Sequence, residues 1–310
     1  MEIFFGAQLH GNSTTFDDMK AVAQVMDRGR WHSAWTYDHF VPPEVFLDET
    51  DPSLEGWTTL TGLAVLTERL RWGCIVSGNT YRNPALLAKM AATVDNMTNG
   101  RLELGIGAAW HEREHRAYGF NFPSLRERSD RLEEACALIK ALFTAKGPVD
   151  FHGKYYCLEQ APFAPRCVQR PHPPIMVGGG GEKRTLRTLA RYGDVMNVGG
   201  PPEMVRHKIE VLERHCAEVG RDPAEINRTV LFPVALQDDP EKAALLSSTW
   251  GRGMAERDRY RIIPIGSADH IIGVFRRYQE VGVQGIIFQG VPNRPQLYER
   301  LDQEVLAAFA

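Results

Sequence analysis

Along the chain, short apolar runs alternate with longer stretches in which apolar residues recur at three- and four-residue spacing. The short runs predict strands at Ile3–Leu9, Ser33–Tyr37, Leu70–Val76, Arg101–Ile106, Pro174–Val177, Asp194–Val198, Thr229–Ala235 and Gln284–Phe288. The longer stretches predict helices at Phe16–Arg28, Trp57–Glu68, Pro84–Met97, Leu125–Thr144, Glu182–Tyr192, Glu203–Val219, Pro240–Glu256, Ala268–Val281 and Pro295–Phe309. Thr15 or Ser13 can cap the first of these, and Pro84 suits a first helical turn. Strand-then-helix repetition implies parallel strands with right-handed crossovers. Eight such units predict an α/β fold, a (β/α)8 TIM barrel with insertions at the strand C-terminal face, where ligands bind. A doubly wound open sheet is the structural alternative.

Two stretches break the rhythm. Val41–Gly56 is acidic and proline-bearing, longer than a connection requires. Between Lys146 and Pro174 a hairpin pattern at Phe151–Tyr156 precedes a run rich in prolines, which favour extended backbone. We read residues 1–310 as a single domain with an insertion at about 146–174 that covers one end. Both stretches are expected to shape a pocket.

Composition adds limits. The chain has 310 residues, 43% hydrophobic and 24% charged, enough apolar material for a sizeable core. A net charge of −3 offers no electrostatic reason to expect nucleic acid or an anionic membrane as a partner. No apolar run is long enough to span a bilayer and no secretory leader pattern opens the sequence, so a cytoplasmic location is expected. The cysteines 74, 136, 157, 167 and 216 are scattered without a C-x-x-C pair, which predicts reduced thiols.

On a parallel barrel the residues following each strand share one mouth. Here they are Gln8-Leu9-His10, Asp38-His39, Ser77-Gly78-Asn79-Thr80, Ala108-Ala109-Trp110-His111 and Gly178-Gly179-Gly180-Gly181, small and polar groups suited to a cofactor site. The glycines free backbone N–H groups to face an anion ahead of a helix start, with Lys183 or Arg184 near, a pattern that suits phosphate; a flexible turn is the alternative. No nucleotide P-loop or dinucleotide glycine motif is present. His39 is a candidate proton donor or base, with Asp38 able to orient it or bind a ring. His111-Glu112-Arg113-Glu114-His115 spells H-E-x-x-H, a pattern that can hold zinc, but it lacks the extended spacing to Gly119 and sits at a strand end.

Four pieces together carry a resemblance: Trp35–Phe40, Gly78–Lys89, Gly100–Trp110 and Gly178–Thr185. The chain resembles the luciferase-like monooxygenase superfamily of flavin and deazaflavin oxidoreductases, and within it the coenzyme F420-dependent branch. The resemblance implies a deazaflavin ring at the barrel mouth and its phosphate tail at Gly178, Gly179, Gly180 and Gly181. It implies a non-proline cis peptide at Cys74-Ile75 backing the ring. It implies ring contacts from Asp38, His39, Ser77, Ala108 and Ala109, with His39 as proton donor or base. His111 and Glu112 are expected at the middle or tail of the cofactor. In the sugar-phosphate dehydrogenase branch an acidic glutamate stands where this chain has Trp110, so Trp110 is expected instead to wall an apolar or aromatic substrate pocket with Trp57 and Phe40. The expected activity is hydride transfer between coenzyme F420 and a small organic substrate by a homodimer. The alternatives are an FMN-dependent monooxygenase, a non-catalytic cofactor carrier and, remotely, a zinc hydrolase.

Overall fold

The computed structural model describes residues 3–42, 50–250 and 262–310. The strands form where the apolar runs place them: β1 (Phe4–Gln8), β2 (Ser33–Thr36), β3 (Arg71–Cys74), β4 (Ser77–Gly78) and β5 (Leu102–Gly107), then, beyond a hairpin of β6 (Val149–His152) and β7 (Cys157–Ala161), β8 (Ile175–Gly178), β9 (Val195–Val198) and β10 (Asn227–Pro233). A short parallel pair follows, β11 (Ala235–Leu236) with β12 (Ile265–Gly266), and β13 (Gly285–Gln289) is the last barrel strand. The sheet runs β3-β2-β1-β13-β10-β9-β8-β5-β4, and pairing of β3 with β5 closes it. Its ladders are all parallel, and β3 and β4 share one barrel position, so the expected eight-position barrel forms.

Helices α1 (Phe16–Arg28), α2 (Gly56–Ala64), α3 (Pro84–Met97), α4 (Glu112–Ala117), α5 (Leu125–Thr144), α6 (Thr185–Tyr192), α7 (Pro202–Val219) and α8 (Pro240–Trp250) lie along the described chain with Ala268–Glu280 and Pro295–Glu304. Thr15 caps α1 through a reciprocal pair with Asp18. α6 starts three residues later than the glycine run suggests. The predicted continuation of α8 to Glu256 lies outside the described residues.

Two apolar cores result. The larger lies between the strands and helices; a smaller one inside the barrel joins Trp35, Ile75, Met176, Val195 and Ile287, with Val76 and Leu231 packed on it. Strand alternation assigns the two sides, so Cys74 enters the outer core and Ile75 the inner one. Gly73 pairs with Glu103 while Ser77 pairs with Ile106, four steps on one strand against three on the other. That extra residue is a bulge, and it turns Val76 inward beside Ile75. Glycines make the room. A Cβ on Gly73 would overlap the Trp35 ring, and one on Gly107 or Gly178 would meet Val76 at 2.7 or 2.8 Å. The cis peptide lies at Ile75-Val76, one residue beyond its expected place at Cys74-Ile75.

The 146–174 segment differs from expectation in where it lies. α5 runs from the mouth to the opposite end of the barrel, so a segment between α5 and β8 must begin and finish at that far end. Gln169 bonds Arg71 and the Leu102 carbonyl, at the starts of β3 and β5. Only the hairpin turn climbs toward the mouth, where Tyr156 meets Asn79 at 3.2 Å. No described helix is long and apolar enough to cross a membrane.

The glycine packing is testable. A Cβ on Gly105 would lie 2.0 Å from the Cys74 carbonyl oxygen, a backbone atom that cannot swing away. Gly105→Ala is therefore expected to cost about 1–3 kcal/mol or more. Gly147→Ala, where a Cβ meets nothing within 4 Å, should stay within about 0.5 kcal/mol of wild type. Urea denaturation midpoints of the two variants check the contrast.

Candidate active site

All eight barrel positions end on one cavity of about 420 Å³. Its wall includes Gln8 at the end of β1, Tyr37 to His39 after β2, Ile75, Val76 and Gly78 of the bulged strand, Gly107 to Trp110 from the end of β5, and Gly178 and Gly179 from the end of β8; Asn197, Leu231 and Gln289 supply the remaining strands. That volume suits a small organic ligand or cofactor ring. Ile75, Val76 and Leu231, which top the inner core, bring apolar surface to it.

Asp38 is buried at the second strand end. Its Oδ2 accepts the Gly78 amide at 2.9 Å and an Arg82 N–H, while Arg82 also reaches Glu55 at 2.7 Å. Burial pushes the Asp38 carboxyl up, against the pull of Arg82 and the Gly78 amide. Its Oδ1 and the Oε1 of Gln8 are buried acceptors without a donor among the described residues.

His39 stands beside Asp38 with its Nδ1 3.0 Å from Glu114 Oε2. Glu114 is fully buried on α4 and accepts the amides of Phe40 at 2.5 Å and Val41 at 3.2 Å, plus the Tyr81 hydroxyl. Burial acts to raise the Glu114 pKa, but the bonds from His39, Tyr81 and the Phe40 amide outweigh it and hold the carboxyl below its usual range. Trp110 is 62% exposed, and its ring meets the His39 ring edge-on at 5.3 Å. Ala109 sits at φ 60°, and the buried Arg128 donates to the Ala108 and Ala109 carbonyls while its guanidinium covers the Phe122 ring at 4.1 Å.

The mouth therefore gathers Asp38, His39, Ile75, Ala108, Ala109, Trp110, Gly178 and Gly179. Other expected members stand apart. Cys74 is fully buried in the outer core because alternation turns it away from the lumen. Ser77 is turned outward for the same reason, its Oγ accepting the Trp57 indole N–H at 3.0 Å. That bond and complete burial make Trp57 part of the core and not a pocket wall. Phe40 packs against Tyr81, Tyr118 and Phe120, behind the cavity. His111 caps α4 by accepting the Glu114 amide on Nδ1, with its ring edge against Trp110 at 4.9 Å.

The glycine run leaves the cavity after Gly179, whose φ is 114°. Gly180 and Gly181 lead away toward α6, and Arg184 pairs with Asp130 on α5. The cation beside the glycines is Lys208, whose Cε would lie 3.6 Å from a Cβ on Gly180 and whose Nζ holds Glu182 at 2.6 Å. The H-E-x-x-H imidazoles are already engaged. His115 is fully buried, with Nδ1 2.7 Å from the His111 carbonyl and Nε2 2.6 Å from Thr80 Oγ1. Among the described residues no group of His, Cys, Asp and Glu side chains is placed to hold a metal ion.

Sequence reasoning missed Glu114, Tyr81, Arg82 and Asn197. Asn197 had a visible signal, a polar residue inside the apolar strand Val195–Val198. Glu114 had none, since its neighbours on α4 are charged and its partners come from distant segments.

The profile of the family described as luciferase-like monooxygenase matches residues 2–261. The chain belongs to the luciferase-like monooxygenase family. This luciferase-like protein is 34% identical over 222 residues to an F420-dependent glucose-6-phosphate dehydrogenase of Kineococcus radiotolerans, covering 70% of the chain and 64% of that relative. It is 28% identical over 244 residues to an FMNH(2)-dependent dimethylsulfone monooxygenase of Pseudomonas putida, covering 74% and 65%. The luciferase-like chain thus spans about two thirds of the length of these curated relatives. Its fold matches that of an F420-dependent secondary alcohol dehydrogenase in complex with an F420-acetone adduct, with a TM-score of 0.85, 20% identity and 99% of each chain covered.

The lowered Glu114 carboxyl sets a pH dependence. A depressed folded pKa means that its contribution to stability is complete above the ordinary value of 4.5 and is lost as pH falls through the folded value. The stability advantage of wild type over Glu114→Gln is expected to be full at neutral pH and to vanish in acid. Urea midpoints of both proteins across the acid range measure it.

Proposed function

We propose that this protein is a coenzyme F420-dependent oxidoreductase that moves a hydride between the deazaflavin and a small organic substrate. The observation that carries the reading is the His39 imidazole at the mouth, with Nδ1 held by Glu114 and no described protein group on Nε2. The relation to F420-dependent glucose-6-phosphate dehydrogenase supports the choice of cofactor.

The residues fit such a group. Gln8 Oε1 and Asp38 Oδ1, acceptors with no donor among the described residues, suit the N–H edge of its pyrimidine ring, and Ile75, Val76, Ala108 and Ala109 offer a smooth shelf for its plane. Gly178, Gly179 and Thr185 line the path proposed for the anionic tail, with Lys208 close behind. When bound, the cofactor supplies the hydride chemistry. The chain supplies orientation and a proton: reduction of a carbonyl takes one hydride at carbon and one proton at oxygen, the latter from His39 Nε2, and oxidation of the alcohol returns the proton there. Trp110 and His39 bound the space where the substrate would lie. Trp110 occupies the place of the acid expected in the sugar-phosphate branch, which supports an apolar or aromatic substrate.

An FMN-dependent monooxygenase is the second reading, supported by the dimethylsulfone monooxygenase relative. The single-domain organisation and the homodimer are carried as part of the proposal, the dimer on family resemblance alone. Five free cysteines support a reducing, cytoplasmic setting.

Fluorescence titration with each cofactor tests the first reading against the second: the deazaflavin is expected to bind, and tight FMN binding with no response to the deazaflavin overturns it. Against ketones, enones, imines and nitroaromatics, reduced cofactor should be consumed; no oxidation with any acceptor would favour a carrier. His39→Asn is expected to lower kcat about 10²–10⁴-fold while leaving cofactor affinity near wild type.

A further inference from the structure

We propose that Glu114 is a positioning residue that holds His39 in the tautomer with hydrogen on Nδ1, leaving the Nε2 lone pair at the mouth, so that the two side chains handle the proton as a pair. The inference rests on the reading of His39 as the proton-handling group.

The two oxygens of Glu114 are divided between two tasks. Oε1 takes the amides of Phe40 and Val41, which fixes the carboxylate plane against the turn after β2. Oε2 takes the Tyr81 hydroxyl and faces His39 Nδ1 at 3.0 Å. An ionised carboxylate only accepts, so the atom facing it must be an N–H. A neutral imidazole has one N–H, which leaves Nε2 as the base; a protonated one gains its second proton at Nε2 and is stabilised by the adjacent charge.

The surrounding groups keep Glu114 committed. Tyr81 gives its only hydrogen to Glu114, and its oxygen lies 3.3 Å from His115 Nδ1, whose hydrogen is directed at the His111 carbonyl. His111 uses Nδ1 to accept the Glu114 amide, so its ring offers His39 no competing acceptor on that atom. The other described groups around His39 are the Tyr37 and His111 rings at 5.6 and 5.8 Å, Trp110, and the Asp38–Arg82 pair at the foot of the same strand end. Among the described residues Glu114 is the one anion bonded to the imidazole. A carboxylate serving only to organise the turn would be satisfied on Oε1; the second oxygen, shared between Tyr81 and His39, is what a tautomer-setting partner requires.

The experiment is nitrogen NMR of histidine-labelled, cofactor-free protein, combined with kinetics of the complete enzyme. Wild-type His39 is expected as the Nδ1–H tautomer. In Glu114→Gln the carboxamide can keep its oxygen on the two backbone amides and present N–H to His39. The ring should then switch to the Nε2–H tautomer. The same variant is expected to lose about 10²–10⁴-fold in kcat with KM little changed. Glu114→Gln combined with His39→Asn should be no slower than His39→Asn alone, because one residue acts through the other. Tyr81→Phe keeps the charge and removes the competing donor from Oε2, so His39 should retain the Nδ1–H tautomer with that proton moved downfield as its bond to Glu114 strengthens; this second variant decides the matter if Glu114→Gln does not fold. An Nε2–H tautomer in wild type, an unchanged His39 tautomer in Glu114→Gln, an unmoved Nδ1 proton in Tyr81→Phe, or losses that multiply in the double variant would overturn the proposal. If the NMR results hold and no deazaflavin turns over, the functional reading fails and the pairing stands.

Discussion

The depth of the barrel mouth depends on one steric arrangement, the placing of Val76 in the lumen above Trp35. A single extra residue between Gly73 and Ser77 turns Val76 inward, and Gly105, Gly107 and Gly178 lack the side chains that would collide with it. Close packing leaves no slack for a different solution, since a methyl group at any of these glycines meets Val76 or the Cys74 carbonyl. The inner core is therefore filled to the level of Ile75, Val76 and Leu231 and open above it. A flat ligand would rest on side chains whose positions are set by the whole sheet.

Above that floor, two buried carboxylates organise the polar half of the mouth. Asp38 joins the second strand to the β4–α3 connection through Gly78 and Arg82, and Glu114 joins the second strand to α4. Tyr81 reaches Glu114 from the connection that also carries Arg82, so the two networks brace each other. A buried charge is costly unless its bonds are made, which makes these contacts rigid: withdrawing any partner leaves another polar group without one. His39 gains a defined orientation from this frame, while Trp110 beside it stays largely exposed and free to meet whatever enters.

Much of this was legible before any coordinates. The eight strand positions, the exact spans of α1, α3 and α5, and the gathering of Asp38, His39, Ala108, Ala109, Trp110, Gly178 and Gly179 follow from periodicity and from the rule that strand ends share a mouth. Two departures concern direction and one concerns place. The family resemblance implies Cys74 and Ser77 at the site, yet their side chains face the outer core, because neighbouring strand residues face opposite sides and a bulge shifts that alternation by one. The proline-rich segment was expected to shape the pocket, but it lies at the far end because α5 delivers the chain there.

Periodicity, turn residues and glycine placement are local properties, and they determined the barrel and the ring of residues around its mouth. The partners of those residues were decided only by tertiary structure. Glu114 reads in sequence as one more charge in His111–His115, and becomes the anion behind His39 because α4 packs its inner face on the turn after β2. Lys208 comes to the glycines from a different helix, while the adjacent Arg184 is drawn off by Asp130. Which charge meets which depends on contacts between segments far apart in the chain, and no local pattern encodes those pairings.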